Sequence, residues 1–555
     1  MMHLKTLVIT LDLSAVEELP SAQQRIYVLS VAQMSINAVA ADRIEKLHHD
    51  HDINHFQTSK RLSFPLTFYN EINGNGGICS PPIILNRLIQ ALHCGNHKFI
   101  LRKWKQGARW WNLNMNNHTD TSFSSSTKND NSDNNNTLAM ARAEVAGYRL
   151  AKLAMNHHSQ QLNNINSKKR KMSAYVPDVV YFSHDDNDNV DTEGAPWALF
   201  SYFSSNTIVE SGEDENEKRN IDINIINNST MKWDLKKVMS AANTSQFSSS
   251  QRNDLIECKH YPSTMTKNRH EFGFEEPHPR HGRVPIDECF DYAHMILRDV
   301  VLPVQFSFFE WSSSSSSSIQ LSVNGVEWKH NLCALAVDSQ TSKPFQYHDM
   351  IAVYRLALQR LSAAQQNVTI DDERMDTLLH MMHECVAALE HEWDGHDNRR
   401  PPPLPAVVCH MDLQPQNLTF WQNRNDSEKD KDGNVHDSKH CFVASVMDFE
   451  EAAYADPRFE VLLICRKVLA NLDQAEGLWK SYSSSVKLQT TWDVGPIEPW
   501  LRLETVHSLF TLLLQANNLL GGGRNPWETK PDLWGKIDRE RMRLVRMGWS
   551  FCSAD

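Results

Sequence analysis

Two short apolar runs, each ending in residues that carry chemistry, constrain this 555-residue chain more than any other feature. LPAVVCH (404–410) has the pattern of a buried strand and runs straight into the polar HMDLQPQN (410–417) and then LTFW (418–421). CFVASV (441–446) is a second such run and leads into MDFEEAAYADP (447–457). The order is strand, H-x-D-x-x-x-x-N loop, strand hairpin, D-F-E.

Asn, Ser and Asp runs break up the rest of the chain. They dominate 112–136, 211–230, 312–318 and 423–440, and such segments bury too little apolar area to offset chain entropy. They are expected to be solvated, disordered insertions, with 238–283 a further weakly patterned segment. Between them the periodicity changes in order. LTFYNEI (66–72), IILNRLIQAL (83–92) and KFILRKW (98–104) suggest an antiparallel meander. TLAMARAEVAGYRLAKLAM (137–155) has helical spacing behind a capping-capable Thr137. VPDVVYF (176–182) and PWALFSYF (196–203) read as strands. The segments 348–364, 372–393, 459–472 and 499–520 read as helices, the last stopped by GGG (521–523). Strand-rich then helix-rich order predicts an α+β class.

Composition narrows the function. Fifty-six Lys and Arg against 68 Asp and Glu give a net charge of −12, which argues against a nucleic-acid surface across the whole body. Apolar residues at 41%, with 15 Trp and 22 Phe, are enough for a sizeable core. The ten Cys contain no C-x-x-C pair and suit reduced, buried thiols of an intracellular protein, with the cytoplasm expected. Asp12 interrupts the first apolar run, so no signal peptide is read there, and no apolar run approaches the ~20 residues of a membrane span.

HMDLQPQN followed by MDFEEAAYADPRFEVL resembles the aminoglycoside phosphotransferase and choline kinase branch of the protein-kinase-like superfamily. That branch typically shows H-G-D-x-x-x-x-N, then I-D-W/F-E with a following D-P-x-x-D; Asp456, Pro457 and Glu460 fall on that last motif. Met411 stands where the branch has Gly, and Gln414 replaces its usual residue; both flank the acceptor position and bear on substrate class. The resemblance implies a protein-kinase-like two-lobed fold with a small antiparallel-sheet N-lobe and a larger, mainly helical C-lobe. The expected division is an N-terminal extension over 1–60, the N-lobe over 61–203 and the C-lobe over 204–555. Insertions are placed at 112–136, 204–283, 311–319 and 423–440.

The same resemblance implies an ATP-dependent phosphotransferase whose acceptor is a hydroxyl of a small molecule. Asp412 would take the hydroxyl proton and His410 would brace the loop. Asn417 and Asp448 would hold Mg²⁺, a hard ion for which a carboxamide and a carboxylate are suitable donors. In the N-lobe, Arg102 or its neighbour Lys103 would grip the ATP phosphates; strand alternation lets only one face the cleft, and Arg102 is expected to do so, paired with Glu144. An ordinary surface ion pair is the plainer account of those two. NGNGG (73–77) suits a phosphate-covering loop and a plain hairpin turn equally. LFSYFSS (199–205) falls at the hinge.

An anionic cleft would suit a cationic amino-alcohol, with Asp349, Glu384, Glu504 and the aromatic segments near 306–311 and 527 as acceptor-side candidates. A catalytically silent nucleotide-binding scaffold is the alternative, disfavoured because Asp412, Asn417 and Asp448 are all present. Protein phosphorylation is disfavoured by Gln414 and by D-F-E in place of D-F-G. HHDHDINH (48–55) and KKRK (168–171) read better as solvated segments than as a metal site or an address signal. The first 60 residues, with a helix-like stretch at 21–47, carry no functional expectation.

Overall fold

The computed structural model describes residues 3–19, 24–39, 59–70, 98–104, 130–165, 174–184, 195–202, 231–234, 289–313, 326, 328–329, 340–341, 350–352, 354–355, 358–359, 362, 373–394, 404–413, 417–422, 441–469, 472–516 and 533–549. They fall into two compact units, Met1–Ala108 with Pro177–Leu255, and Arg109–Val176 with Ile256–Asp555.

The first unit is an antiparallel sheet. Its strands are β1 (His3–Leu19), β2 (Gln24–Val39), β3 (Arg61–Asn70), β4 (Lys98–Trp104), β5 (Val179–Phe182), β6 (Trp197–Ser201) and β7 (Met231–Asp234). They run in the order β3-β1-β2-β4-β6-β5, with β7 also paired to β2. Ile9, Leu11, Tyr27, Leu29, Val31, Phe64, Phe99 and Leu101 form one buried cluster. The Tyr181 ring tilts against Phe64 at 4.6 Å. Phe99 and Leu101 enter this cluster, so alternation along β4 turns Arg102 and Trp104, both buried, to the opposite face.

Two expectations are corrected here. The stretch 21–47 is no helix where it is described: residues 24–39 are β2, and β1 and β2 lie in the interior of the sheet rather than preceding it. Tyr27, Leu29 and Val31 alternate with period two until the pairing with β1 slips between Leu13 and Asp12, where Val31 and Gln33 are successive partners. Beyond that irregularity the next buried residue is Met34, three positions on, and this break in phase imitates helical spacing. The region 204–283, expected as insertion throughout, contributes the four residues of β7. The strand-like 83–92 and the NGNGG loop lie outside the described residues.

The second unit is mainly helical. Its helices are α1 (Asp130–Ile165), α2 (Cys289–Ile296), a π-helical turn (Leu297–Val301), α3 (Leu302–Ser313), α4 (Glu373–Asp394), α5 (Arg458–Lys467), α6 (Leu472–Gln489), α7 (Glu498–Ala516) and α8 (Leu533–Arg546). Short strands accompany them: β8 (Trp328–Lys329), β9 (Gln340–Thr341), β10 (Val407–Cys409), β11 (Leu418–Gln422), β12 (Cys441–Val446) and β13 (Ala453–Ala455). Helix α1 begins inside the expected 112–136 insertion, and α3 reaches into that expected at 311–319. There Ser312 and Ser313 donate their hydroxyls to the carbonyls of Phe308 and Phe309, four residues back, and so sit within the last turn of a helix.

The fully buried Trp500 of α7 is a packing centre, with the Trp393 ring edge-on at 5.0 Å and Phe459 at 5.4 Å. Burial of a large apolar side chain stabilises by about 1.5–3 kcal/mol, so such a centre fixes α4, α5 and α7 against one another. Among the described residues no helix is long and apolar enough to cross a membrane.

Candidate active site

The H-x-D-x-x-x-x-N segment hangs between two strand pairs. Strand β10, wholly buried, pairs antiparallel with β13, Val407 opposite Ala455 and Cys409 opposite Ala453. Strand β11 pairs antiparallel with β12, Leu418 opposite Val446. The hairpin closes with the Met447 N–H donating to the Asn417 carbonyl at 2.9 Å. Asp448 is the next residue, so the backbones that carry Asn417 and Asp448 leave the hairpin at the same end.

His410 is buried, with both ring nitrogens committed. Nε2 lies 2.8 Å from the Met447 carbonyl, which only accepts, so Nε2 carries the proton. Nδ1 then accepts the Asp412 N–H at 3.2 Å. A histidine held this way fixes the loop to the hairpin and has no basic nitrogen left over for a substrate. Asn417 donates Nδ2–H to the Asp412 carboxylate Oδ2 at 2.7 Å and to the Asp412 carbonyl at 2.9 Å. An amide whose nitrogen is spent in this way directs its carbonyl Oδ1 to the other side.

Two residues here have left-handed backbone: Met411 with φ 64° and Asp448 with φ 65°. Non-glycine residues pay for that conformation, and surrounding contacts hold it in place. At Met411 the contact is Glu460 of α5, a buried carboxylate that accepts the N–H groups of His410 and Met411, the latter at 3.2 Å. At Asp448 it is α1: the Asp448 N–H donates to the Tyr148 hydroxyl at 2.8 Å. The Phe449 ring, next in sequence, lies 4.6 Å from Tyr148 and 4.4 Å from His410. Strand β12 is fixed from its other side, where the Asp299 carboxylate of the π-helical turn accepts the Val443 N–H at 3.1 Å.

Asp456 is tied to Arg458, whose backbone N–H and guanidinium both reach its carboxylate, at 3.0 and 2.6 Å, with neither side chain exposed. Behind the loop lies a cavity of about 20 Å³ bordered by His410, Leu413, Gln305, Phe449 and Glu460. That is room for a water molecule and far too little for a metabolite. Burial, and the Glu460 carboxylate after it, push the Cys409 thiol well up, so it is no nucleophile.

The donor set suits a divalent cation. Asn417 keeps a carbonyl oxygen in hand once its nitrogen is bound to Asp412, and Asp448 brings a carboxylate to the same hairpin end. Hard oxygen donors, few in number, are what Mg²⁺ takes from a protein when phosphate oxygens and water complete its shell.

Asp412, His410, Asn417 and Asp448 thus converge on one loop-and-hairpin end. Arg102 lies on β4 of the first unit, opposite Ile26 and Ala198, while Glu144 is buried on α1 of the second. Of the acceptor-side candidates, Glu384 is partly exposed beside His380, and Glu504 is buried against Arg466 at 2.5 Å. Glu504 therefore belongs to the packing between helices and does not reach a substrate. Asp349, Trp527, HHDHDINH and KKRK lie outside the described residues. Sequence reasoning flagged Glu460 by its spacing without finding its role, and read Tyr148 only as one of the helically spaced residues of 137–155; its register at four positions after Glu144 is the one signal that pointed to a role at the site.

No family model matches the sequence, and no curated protein does. Among solved structures the chain is similar to the GDP and kanamycin complex of APH(2")-IIia, at 9% identity over 97% of this chain and 93% of that one, with a TM-score of 0.34.

Proposed function

We propose that the chain is an ATP-dependent phosphotransferase that moves the γ-phosphate to a hydroxyl of a small molecule. The observation that carries this reading is the 2.7 Å bond from the Asn417 amide to the Asp412 carboxylate at the hairpin end from which Asp448 emerges. Phosphoryl transfer demands little covalent work of a protein; positioning and charge neutralisation supply most of the rate. Asn417 and Asp448 would hold Mg²⁺, which when bound offsets negative charge on the phosphates.

Asp412 orients the acceptor hydroxyl and takes its proton. The Asn417 amide and the His410 ring hold Asp412 still, so its carboxylate meets the hydroxyl already aimed. Arg102 and Glu144 are each assigned to the nucleotide, Arg102 as a guanidinium for the triphosphate. Cationic amino-alcohols are the acceptor class to test first, in keeping with the net charge of −12.

The test is ADP release from Mg·ATP in the presence of amino-alcohols, sugars and peptides, for the wild type and for Asp412→Ala. Turnover with a small-molecule hydroxyl that falls ~10²–10⁴-fold in the variant, with nucleotide still bound, is the expected result. Nucleotide bound without turnover on any acceptor would assign a silent scaffold instead, peptide-only turnover a protein kinase, and full activity in Asp412→Ala would remove the proposed base.

A further inference from the structure

We infer that Tyr148 of α1 is a positioning residue for the cation-binding carboxylate, holding Asp448 in its left-handed conformation from the side opposite the hairpin. This rests on the phosphotransferase reading, since it gives Asp448 its task. Asp448 follows a strand and holds φ 65°, a conformation that aspartate tolerates better than most side chains but does not prefer, and a large ring follows it. The conformation is kept by three contacts. The Met447 carbonyl on one side accepts from His410 Nε2 at 2.8 Å. The Asp448 N–H on the other donates to the Tyr148 hydroxyl at 2.8 Å. The Phe449 ring is clasped between Tyr148 and His410.

Of these groups the Tyr148 hydroxyl is the one that bonds the Asp448 amide itself, and it reaches there because of its neighbour. A β-carbon on Gly147 would stand 2.8 Å from the Ala452 Cβ and 3.4 Å from Phe449, closer than the turn at 449–452 tolerates. Glycine at 147 lets α1 approach until the tyrosine hydroxyl is within bonding distance of the turn. Glu144 occurs one helical turn earlier on the same face of α1, so the helix carries the residue assigned to the nucleotide and the residue that sets Asp448 together. Movement of α1 away from the turn would release the Asp448 amide and let the carboxylate swing.

The test is the Mg²⁺ dependence of ATP binding, by calorimetry on the full chain, for the wild type and Tyr148→Phe, which keeps the ring and removes only the hydroxyl. The expected outcome is a Mg²⁺ requirement raised on the order of 3- to 10-fold, the worth of one hydrogen bond, with metal-free nucleotide binding unchanged. An unchanged Mg²⁺ requirement would overturn the inference, and so would equal weakening with and without Mg²⁺, which marks a merely structural role. Gly147→Ala reads the same coupling without touching the hydroxyl. It should raise the Mg²⁺ requirement likewise, and Gly147→Ala with Ala452→Gly should restore it; no effect of the first, or no rescue by the second, counts against the inference. A wild type that binds no ATP in Mg²⁺ defeats the phosphotransferase reading itself, and the role of Tyr148 with it.

Discussion

Asp412 and Asn417 owe their geometry to backbone partners as much as to each other. His410 spends both nitrogens on the chain, and Glu460 spends its carboxylate on two N–H groups of the loop. The spacing of His410, Asp412 and Asn417 was legible in sequence because it is local: one loop of fixed length delivers all three. The Glu460 role was not legible, because a carboxylate fifty positions on reaches the loop only after α5 docks beneath it. Met411 allows a direct check. Its φ of 64° suits glycine, yet the side chain is buried, so both Met411→Gly and Met411→Ala lose burial and only the glycine relieves the backbone. Met411→Gly should therefore exceed Met411→Ala in stability by about 1 kcal/mol in urea unfolding. Equal stabilities would mean that the backbone relaxes out of the left-handed region.

Helices and strands were legible where their period was unbroken and misread where it was not. Strand β4 was read with its observed bounds, and α1, α4 and α7 were anticipated at their centres, whereas the slipped register of β1 against β2 made a strand look helical. Helices α2, α3, α6 and α8 were missed. Part of what holds α8 in place is charge: Arg466 of α5 bonds Glu504 of α7 and Glu540 of α8, and Arg543 completes a buried cluster of two cations and two anions. Such a cluster is a poor guide from sequence, since each member looks like a surface residue until packing closes over it. Beside it, burial and then the Arg466 charge press the His507 imidazole down to about 3.

Below the ordinary pKa of about 6.5 the unfolded chain takes a proton at His507 that the folded chain refuses. This group therefore takes away stability as pH falls from about 6.5 towards 3, and contributes no slope above that window. Glu540, pushed up by burial, acts in the opposite sense and gains stability on acidification. Comparing the wild type with His507→Leu separates the two. The variant should lose less stability between pH 7 and pH 4 in urea unfolding, and parallel losses would show that His507 is solvated in the fold.

At the scale of the whole molecule, the class α+β was legible from the order of periodicities, but the partition was not. Residues 3–19 and 24–39 build the interior of the first sheet, and 109–176 group by contact with the C-terminal helices rather than with the strands on either side. Sequence order conceals this because the chain leaves the first unit after Ala108 and returns at Pro177. One consequence is that Tyr148 and Asp448, three hundred positions apart, act within one unit. The account turns on whether that unit binds a divalent cation through the carboxamide of Asn417 and the carboxylate of Asp448. The most direct measurement is calorimetric titration of ATP with and without Mg²⁺ into the wild type, Asn417→Ala and Asp448→Ala. The account predicts Mg²⁺-dependent binding in the wild type that disappears in both variants while their folds persist; Mg·ATP binding by either variant as tight as the wild type's would contradict it.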